Sequence, residues 1–205
     1  MSWDALLFDF DGVLADTEPI HYECWREILA PFGIDLDWEF YQRNCVGLND
    51  RLMVERLASA SNPPVPFDLV WPEYGHKQEM FRAALLEQLP FRAGTIDLVR
   101  ELYGFYKLAV VSSSDRSQVE PPLELAGIHS YFQAIICGKE VQHLKPAPDP
   151  YLRAAEMLGA RCPLVIEDSD AGVASAKAAG FDLLRVSGPD RVADEVRARI
   201  YATSP

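Results

Sequence analysis

Five short runs carry apolar residues without polar alternation: "ALLFDF" at 5–10, "LAVVS" at 108–112, "AIIC" at 134–137, "LVIE" at 164–167 and "LLRV" at 183–186. A strand that is apolar at successive positions is covered on both faces, the condition of a parallel sheet between two layers of helices. Between the runs lie "GTIDLVRELYGF", "SQVEPPLELAGI", "DPYLRAAEMLGA" and "DAGVASAKAAGF", whose apolar residues recur at helical spacing. Strand and helix alternate, which predicts an α/β class with a Rossmann-like parallel sheet and right-handed crossovers. Residues 18–88 break the rhythm. From "PIHYECWREILAPFG" to "EYGHKQEMFRAALLEQL" the spacing is helical and no strand pattern occurs. The expected organisation is a core of residues 1–17 and 89–205, with an α-helical subdomain of residues 18–88 inserted after the first strand. The flanking "ADTEP" and "LPFRAG" would act as hinges.

Composition narrows the partners. The 205 residues are 49% hydrophobic and 24% charged, with no tract of low complexity, as a folded globular chain requires. Nineteen basic against 31 acidic residues give a formal charge of −12, which repels nucleic acid and anionic membrane in the absence of a basic cluster. No apolar stretch approaches the ~18 to 20 residues of a membrane span, and "MSWDALLF" lacks the pattern of a signal peptide. Cys24, Cys45, Cys137 and Cys162 are scattered and form neither a zinc-ligand pair nor a disulfide framework. The expectation is a cytoplasmic monomer that acts on a small molecule, with no nucleic acid and no membrane partner.

In open parallel sheets ligands bind at the carboxyl ends of the strands. Asp9 and Asp11 end the first run, Ser112 ends "LAVVS", Lys145 follows "AIIC" by one loop, and Glu167 with Asp168 end "LVIE". Four carboxylates on one edge repel one another unless a hard cation with oxygen ligands compensates them. Mg²⁺ fits, since it takes a few carboxylates and is completed by a substrate phosphate. Lys145 and Ser112 add a point charge and a hydroxyl for phosphate oxygens, so the set reads as phosphoryl-transfer machinery. Blander readings exist: a single Asp after a strand is commonly a turn or cap, Ser112 to Ser114 could cap the next helix, and Lys145 could lie on the surface. Asp149 and Asp170 are read as helix caps.

"DFDGVLADTEPIH", "VVSSSD", "LKPAPDPYL" and "VIEDSDAG" resemble, in order and spacing, the four motifs of the haloacid dehalogenase superfamily of phosphohydrolases. The form is similar to the β-phosphoglucomutase and sugar-phosphatase branch, which carries a helical cap after the first motif. The resemblance implies that Asp9 is the nucleophile, that Asp11 is the general acid and base, and that an aspartyl phosphate forms on Asp9. It implies Mg²⁺ ligation by Asp9, Asp168 and the Asp11 backbone carbonyl, with Glu167 as ligand or support. Gly12 and Ser113 would meet the phosphate, and His21, Arg51 and Lys77 in the cap would meet the rest of a small phosphorylated metabolite. His21 and Lys77 read equally well as an exposed first-helix residue and a solvated helix face. In one respect the chain departs from the mutase pattern, which has Lys before the glycine and Arg shortly after. Here Val46 precedes Gly47 and Asp50 stands near the Arg position. Simple hydrolysis is therefore expected ahead of mutase chemistry. A receiver-like phospho-acceptor domain, with its acidic pair adjacent and its acceptor on a later strand, fits less well.

Overall fold

The first apolar run forms β1, Ala5–Phe8, and every residue of it is buried. In the computed structural model, which describes residues 3–46 and 48–202, β1 is followed by α1 (Glu18–Leu29), α2 (Trp38–Asn44), α3 (Asp50–Ala60), α4 (Phe67–Val70) and α5 (Tyr74–Glu87). The alternating part follows: α6 (Ala93–Tyr103), β2 (Lys107–Val111), α7 (Arg116–Leu125), β3 (Ala134–Ile136), α8 (Asp149–Leu158), β4 (Pro163–Glu167), α9 (Asp170–Ala179), β5 (Asp182–Arg185) and α10 (Val192–Tyr201). The chain divides into two units, Met1–Asp16 with Leu89–Pro205, and Thr17–Gln88.

All five strands are parallel, in the order β3-β2-β1-β4-β5. The period of two along each strand sends alternate residues to opposite layers. Leu6, Phe8, Leu108, Val110, Leu164 and Ile166 pack with α6, α7 and α10. Ala5, Leu7, Ala109, Val111 and Val165 pack with Tyr151, Ala154 and Leu158 of α8 and Ala176 of α9. Each such Leu, Ile or Val contributes about 1.5–3 kcal/mol by leaving water. Both faces of β1 to β4 are covered, which is why those strands read as unbroken apolar runs; β5, at the sheet edge, departs from the expectation, with Asp182 and Arg185 exposed and Leu183 and Leu184 half-buried. The helix α10 has no counterpart among the segments singled out in the sequence; Val192, Val196 and Ile200 bring it to the same layer as α6. From β1 the chain steps outward through β2 to β3, and then returns to β4 on the other side of β1. That reversal is a topological switch point, where the connections diverge and leave a crevice at the carboxyl ends of β1 and β4.

The second unit is helical, with no strand among its described residues. Asp37 caps α2 by accepting from the Phe40 amide at 2.9 Å, and Asn49 caps α3 by accepting from the Leu52 amide at 2.9 Å. Its core gathers Trp25, Leu29, Leu36, Met53, Val54 and Val70. No helix of the described residues is long and apolar enough to cross a membrane. Gly47 lies outside the described residues.

Candidate active site

The Asp9 amide donates to the Ile166 carbonyl at 3.0 Å, so the β1–β4 ladder runs one residue past β1 and fixes the Asp9 carboxylate at the crevice. The chain then turns back at once: the Gly12 amide donates to the Ala15 carbonyl at 2.8 Å and Ala15 to Phe10 at 2.9 Å. Gly12 has φ of +79°, where a side chain is strained, and a Cβ there would lie 2.2 Å from Asp168 Oδ2. The glycine thus serves the turn and also admits the Asp168 carboxylate against the backbone.

Lys145 arrives on the loop between β3 and α8. Its ammonium donates to Asp9 Oδ1 at 2.7 Å, Glu167 Oε1 at 2.7 Å and the Val111 carbonyl at 2.9 Å. Those three bonds use its three N–H groups. Glu167, the last residue of β4, is fully buried. Besides Lys145 it accepts from Tyr151 Oη at 3.0 Å, from the Asp168 and Ser169 amides at 2.9 Å each, and from Ser169 Oγ at 3.0 Å. Gly172, in the first turn of α9, leaves room for that carboxylate: a Cβ would fall 1.6 Å from Glu167 Oε1. Asp11 turns the other way, accepting at Oδ2 from Ser114 Oγ at 2.8 Å and from Ser112 Oγ at 3.4 Å. Ser112 Oγ in turn accepts from the Ser114 amide at 3.0 Å, which locks the loop after β2.

Oxygens of Asp9, Glu167 and Asp168 lie within 4.8 Å of one another. Burial pushes the Asp9 carboxyl well above the usual range; Lys145 opposes this, while the charges of Glu167 and Asp11 add to it. Burial, reinforced by the Glu167 charge, raises Asp168 to about 6. Burial works in the same direction on Glu167, yet the adjacent Lys145 and its other donors hold that group below its ordinary value. The Lys145 ammonium is itself held above its ordinary value, since Asp9 and Glu167 outweigh its burial. Asp168 Oδ1 is buried and, among the described residues, accepts no hydrogen bond. A buried carboxylate oxygen without a donor is costly unless a cation takes it. The residues therefore fit a hard divalent ion with oxygen ligands.

Of the residues singled out in the sequence, the structure brings Asp9, Asp11, Gly12, Ser112, Lys145, Glu167 and Asp168 to one sheet edge. Ser113 is exposed, with its carbonyl against Gly138, and its neighbours make the bonds to Asp11. In the helical unit, Lys77 is fully buried, with its ammonium 2.7 Å from His21 Nδ1 and 3.3 Å from Asp50 Oδ2. Trp25 Nε1 donates to the other Asp50 oxygen at 2.8 Å, and the His21 ring stacks on Phe81. Burial, with the Lys77 charge second, pushes the His21 imidazole well below its ordinary value. Arg51 stands apart: it is exposed, bonds Glu55 at 3.1 Å and lies over the Phe67 and Trp71 rings. Two expected helix caps are corrected. Ser169 caps α9 by accepting from the Gly172 amide, which leaves Asp170 exposed and paired with Arg185. Asp149 is the first residue of α8, held by His143 at 2.9 Å, with Pro148 at the cap position. Tyr151, Ser169 and Gly172 also build the site without being singled out by the sequence pattern. Tyr151 is inside the quoted third motif but occupies an apolar helix position, and nothing in the pattern reveals where its hydroxyl points.

Comparisons with known proteins give the chain its family. The model of the haloacid dehalogenase-like hydrolase family matches residues 6–186. Fructose-1-phosphate phosphatase YqaB of Escherichia coli is 35% identical over 189 residues, covering 89% of this chain and 95% of that protein. Protein CbbY of Rhodobacter capsulatus is 36% identical, covering 88% of this chain and 84% of that protein. Among solved structures, CbbY from Rhodobacter sphaeroides in complex with xylulose-(1,5)bisphosphate superposes with a TM-score of 0.71 at 28% identity, over 91% of this chain and 87% of that one. With a family model spanning most of its length and relatives that match it nearly end to end, the chain belongs to the haloacid dehalogenase-like hydrolase family and is an enzyme of its phosphatase class.

Proposed function

We propose that the enzyme hydrolyses a small phosphomonoester, a phosphorylated sugar or a short hydroxy acid phosphate, through an aspartyl phosphate on Asp9. The observation that carries this reading is the pairing at the end of β1. One Asp9 oxygen is held by Lys145, while Asp168 beside it keeps a buried oxygen without a hydrogen-bond donor. Asp9 attacks phosphorus as the ester P–O bond breaks, and Asp11 gives its proton to the departing alkoxide. Asp11 then takes a proton from the water that attacks the phosphoenzyme, which frees inorganic phosphate and restores the Asp9 carboxylate. Ser112 and Ser114 hold the Asp11 carboxylate apart from the three-carboxylate group, so the two acids of the first motif can do different work.

Mg²⁺ would be held by Asp9, Asp168 and, by the family resemblance, the Asp11 carbonyl, where it would supply positive charge to the phosphoryl oxygens and favour the ionised form of Asp9. Glu167 supports rather than ligates on this reading, because its two oxygens already accept from five donors. Thr17–Gln88 is assigned the part of a cap, as an insertion after β1 that supplies substrate contacts the catalytic edge lacks. Asp50 favours hydrolysis over mutase chemistry. A carboxylate near the position where the mutase pattern has Arg repels a second phosphate, and Asp50 also neutralises Lys77. The absence of nucleic acid partners belongs to the same reading, resting on the charge of −12, and a cytoplasmic address rests on the scattered, unpaired cysteines. The test is a screen of phosphate release across hexose phosphates, phosphoglycolate, nucleotides and phosphopeptides, with isomer formation followed by NMR. Mg²⁺-dependent phosphate release from the small esters is expected, and isomerisation outrunning release would overturn the hydrolase assignment.

A further inference from the structure

We infer that Tyr151 is a positioning residue for the reaction: through Glu167 it fixes how Lys145 divides its hydrogen bonds and so holds the Asp9 carboxylate in line for attack. The inference rests on the reading of Asp9 as nucleophile. Tyr151 is fully buried on the inner face of α8, and its ring packs in the layer that covers Val111 and Val165. Its hydroxyl reaches the same oxygen, Glu167 Oε1, that Lys145 reaches. The Lys145 ammonium also lies 4.9 Å from the Tyr151 ring centroid, so one side chain meets both members of the ion pair.

The arrangement is a competition for electron density. Lys145 has three donors and three acceptors: Asp9, Glu167 and a carbonyl of β2. A carboxylate oxygen with a second strong donor is a weaker acceptor for the first. With the Tyr151 bond in place, Glu167 Oε1 is shared and Lys145 stays drawn toward Asp9 Oδ1. Without it, Glu167 takes a larger share of Lys145, and the ammonium shifts along the line between the two acids. Burial, followed by the charges of Asp9 and Glu167, keeps the Tyr151 hydroxyl protonated far above its ordinary range, so it acts as a donor at every working pH. Gly172 completes the seat, since any side chain there would displace the oxygen on which Tyr151 and Lys145 meet. Removing one hydrogen bond to a charged group is enough to cost about tenfold in rate when it orients a nucleophile.

The experiment compares the wild-type enzyme with Tyr151→Phe, which keeps the ring and the packing and deletes only the hydroxyl. Rapid-quench measurement of phosphoenzyme formation, steady-state kcat and KM on one hexose phosphate, and thermal unfolding are read on both. The phosphorylation rate and kcat per folded molecule should fall about tenfold, with KM within twofold and the melting temperature lowered by about 3–8 °C for the lost bond. A phosphorylation rate equal to wild type would overturn the inference. So would a variant whose melting temperature drops by more than about 5 °C while the rate per folded molecule is unchanged, the signature of a purely structural tyrosine. If the wild-type enzyme itself forms no phosphoenzyme, the underlying assignment of Asp9 fails, an outcome distinct from either of these.

Discussion

Each unit carries one lysine whose ammonium is out of solvent, and the two keep opposite electrostatic company. The side chains of Lys145 in the core and Lys77 in the helical unit are 5% and 0% exposed. Both lie over aromatic rings, Lys145 over Tyr151 and Lys77 over Trp25 and Phe81. Lys145 meets two buried carboxylates, with Asp168 close behind them, so negative charge exceeds positive and a cation is welcome. Lys77 pairs with Asp50 and lies against an imidazole kept neutral by burial and by the lysine itself. That second cluster sets a lysine against a carboxylate and ties α1, α3 and α5 to one another. Burial of an ion pair is thus not by itself a mark of chemistry; the excess of negative charge at the sheet switch point is what singles out the Lys145 cluster as the candidate site.

Asp9→Asn is the harshest test of the unbalanced side. An amide is a poor nucleophile, so turnover should fall by at least about a thousandfold in a folded sample. Retention of a tenth of the wild-type rate would remove Asp9 from its role. Next comes the direct contrast between the lysines. Lys145→Met and Lys77→Met should each lower stability by about 3–5 kcal/mol, because each strands a buried partner. Only Lys145→Met should also lower kcat per folded molecule by about a hundredfold or more, against less than about tenfold for Lys77→Met. Equal losses of kcat would erase the distinction between the clusters.

Within the core cluster, Asp168→Ala should raise the Mg²⁺ concentration for half-maximal activity by about tenfold or more, a loss typical of a ligand, and Glu167→Gln by less. Metal titrations that rank the two variants the other way would place Glu167 among the ligands. The smallest effect concerns His21. The folded chain resists protonating this imidazole, whereas the unfolded chain takes up the proton once the pH falls below about 6.5. Stability from this group is therefore complete above that pH and is lost as the pH falls below it, by up to about 1.4 kcal/mol per unit. The raised Asp9 and Asp168 carboxyls contribute the opposite slope to both proteins, so urea denaturation between pH 7.5 and 5 should show the stability of wild type falling relative to that of His21→Gln as the pH drops. Parallel curves would mean that His21 is free to titrate in the folded chain.

The core was legible in the sequence because its signals are local. Apolar runs such as "LAVVS" and "LVIE" mark strands covered on both faces, and the polar residues that end them fall at the carboxyl edge by geometry alone. Asp9, Asp11, Ser112, Lys145, Glu167 and Asp168 follow from that rule. What the pattern does not carry is side-chain direction. Tyr151 reads as an apolar helix position, and its hydroxyl becomes visible only when α8 is seated on β1, β2 and β3 and the side chain is seen to reach Glu167. Gly172 reads as a weak helix residue until Glu167 is seen to fill the place of its side chain. Lys77 and Asp50 are separated by 27 residues and sit on helices whose facing sides no spacing rule specifies. Arg51 shows the converse: its charge suggests a substrate contact, and in the fold it is exposed, bonded to Glu55 and laid over two rings.

A covalent phosphate at Asp9 is the most direct test of the proposed chemistry. With Mg²⁺ and a ³²P-labelled hexose phosphate, acid quench during the first turnover followed by peptide mapping should place the label on the peptide that contains Asp9. The label should be lost on exposure to alkali, as an acyl phosphate is, and should decay as inorganic phosphate appears. An enzyme that releases phosphate with no labelled peptide at any time, or with the label on a peptide lacking Asp9, would contradict it.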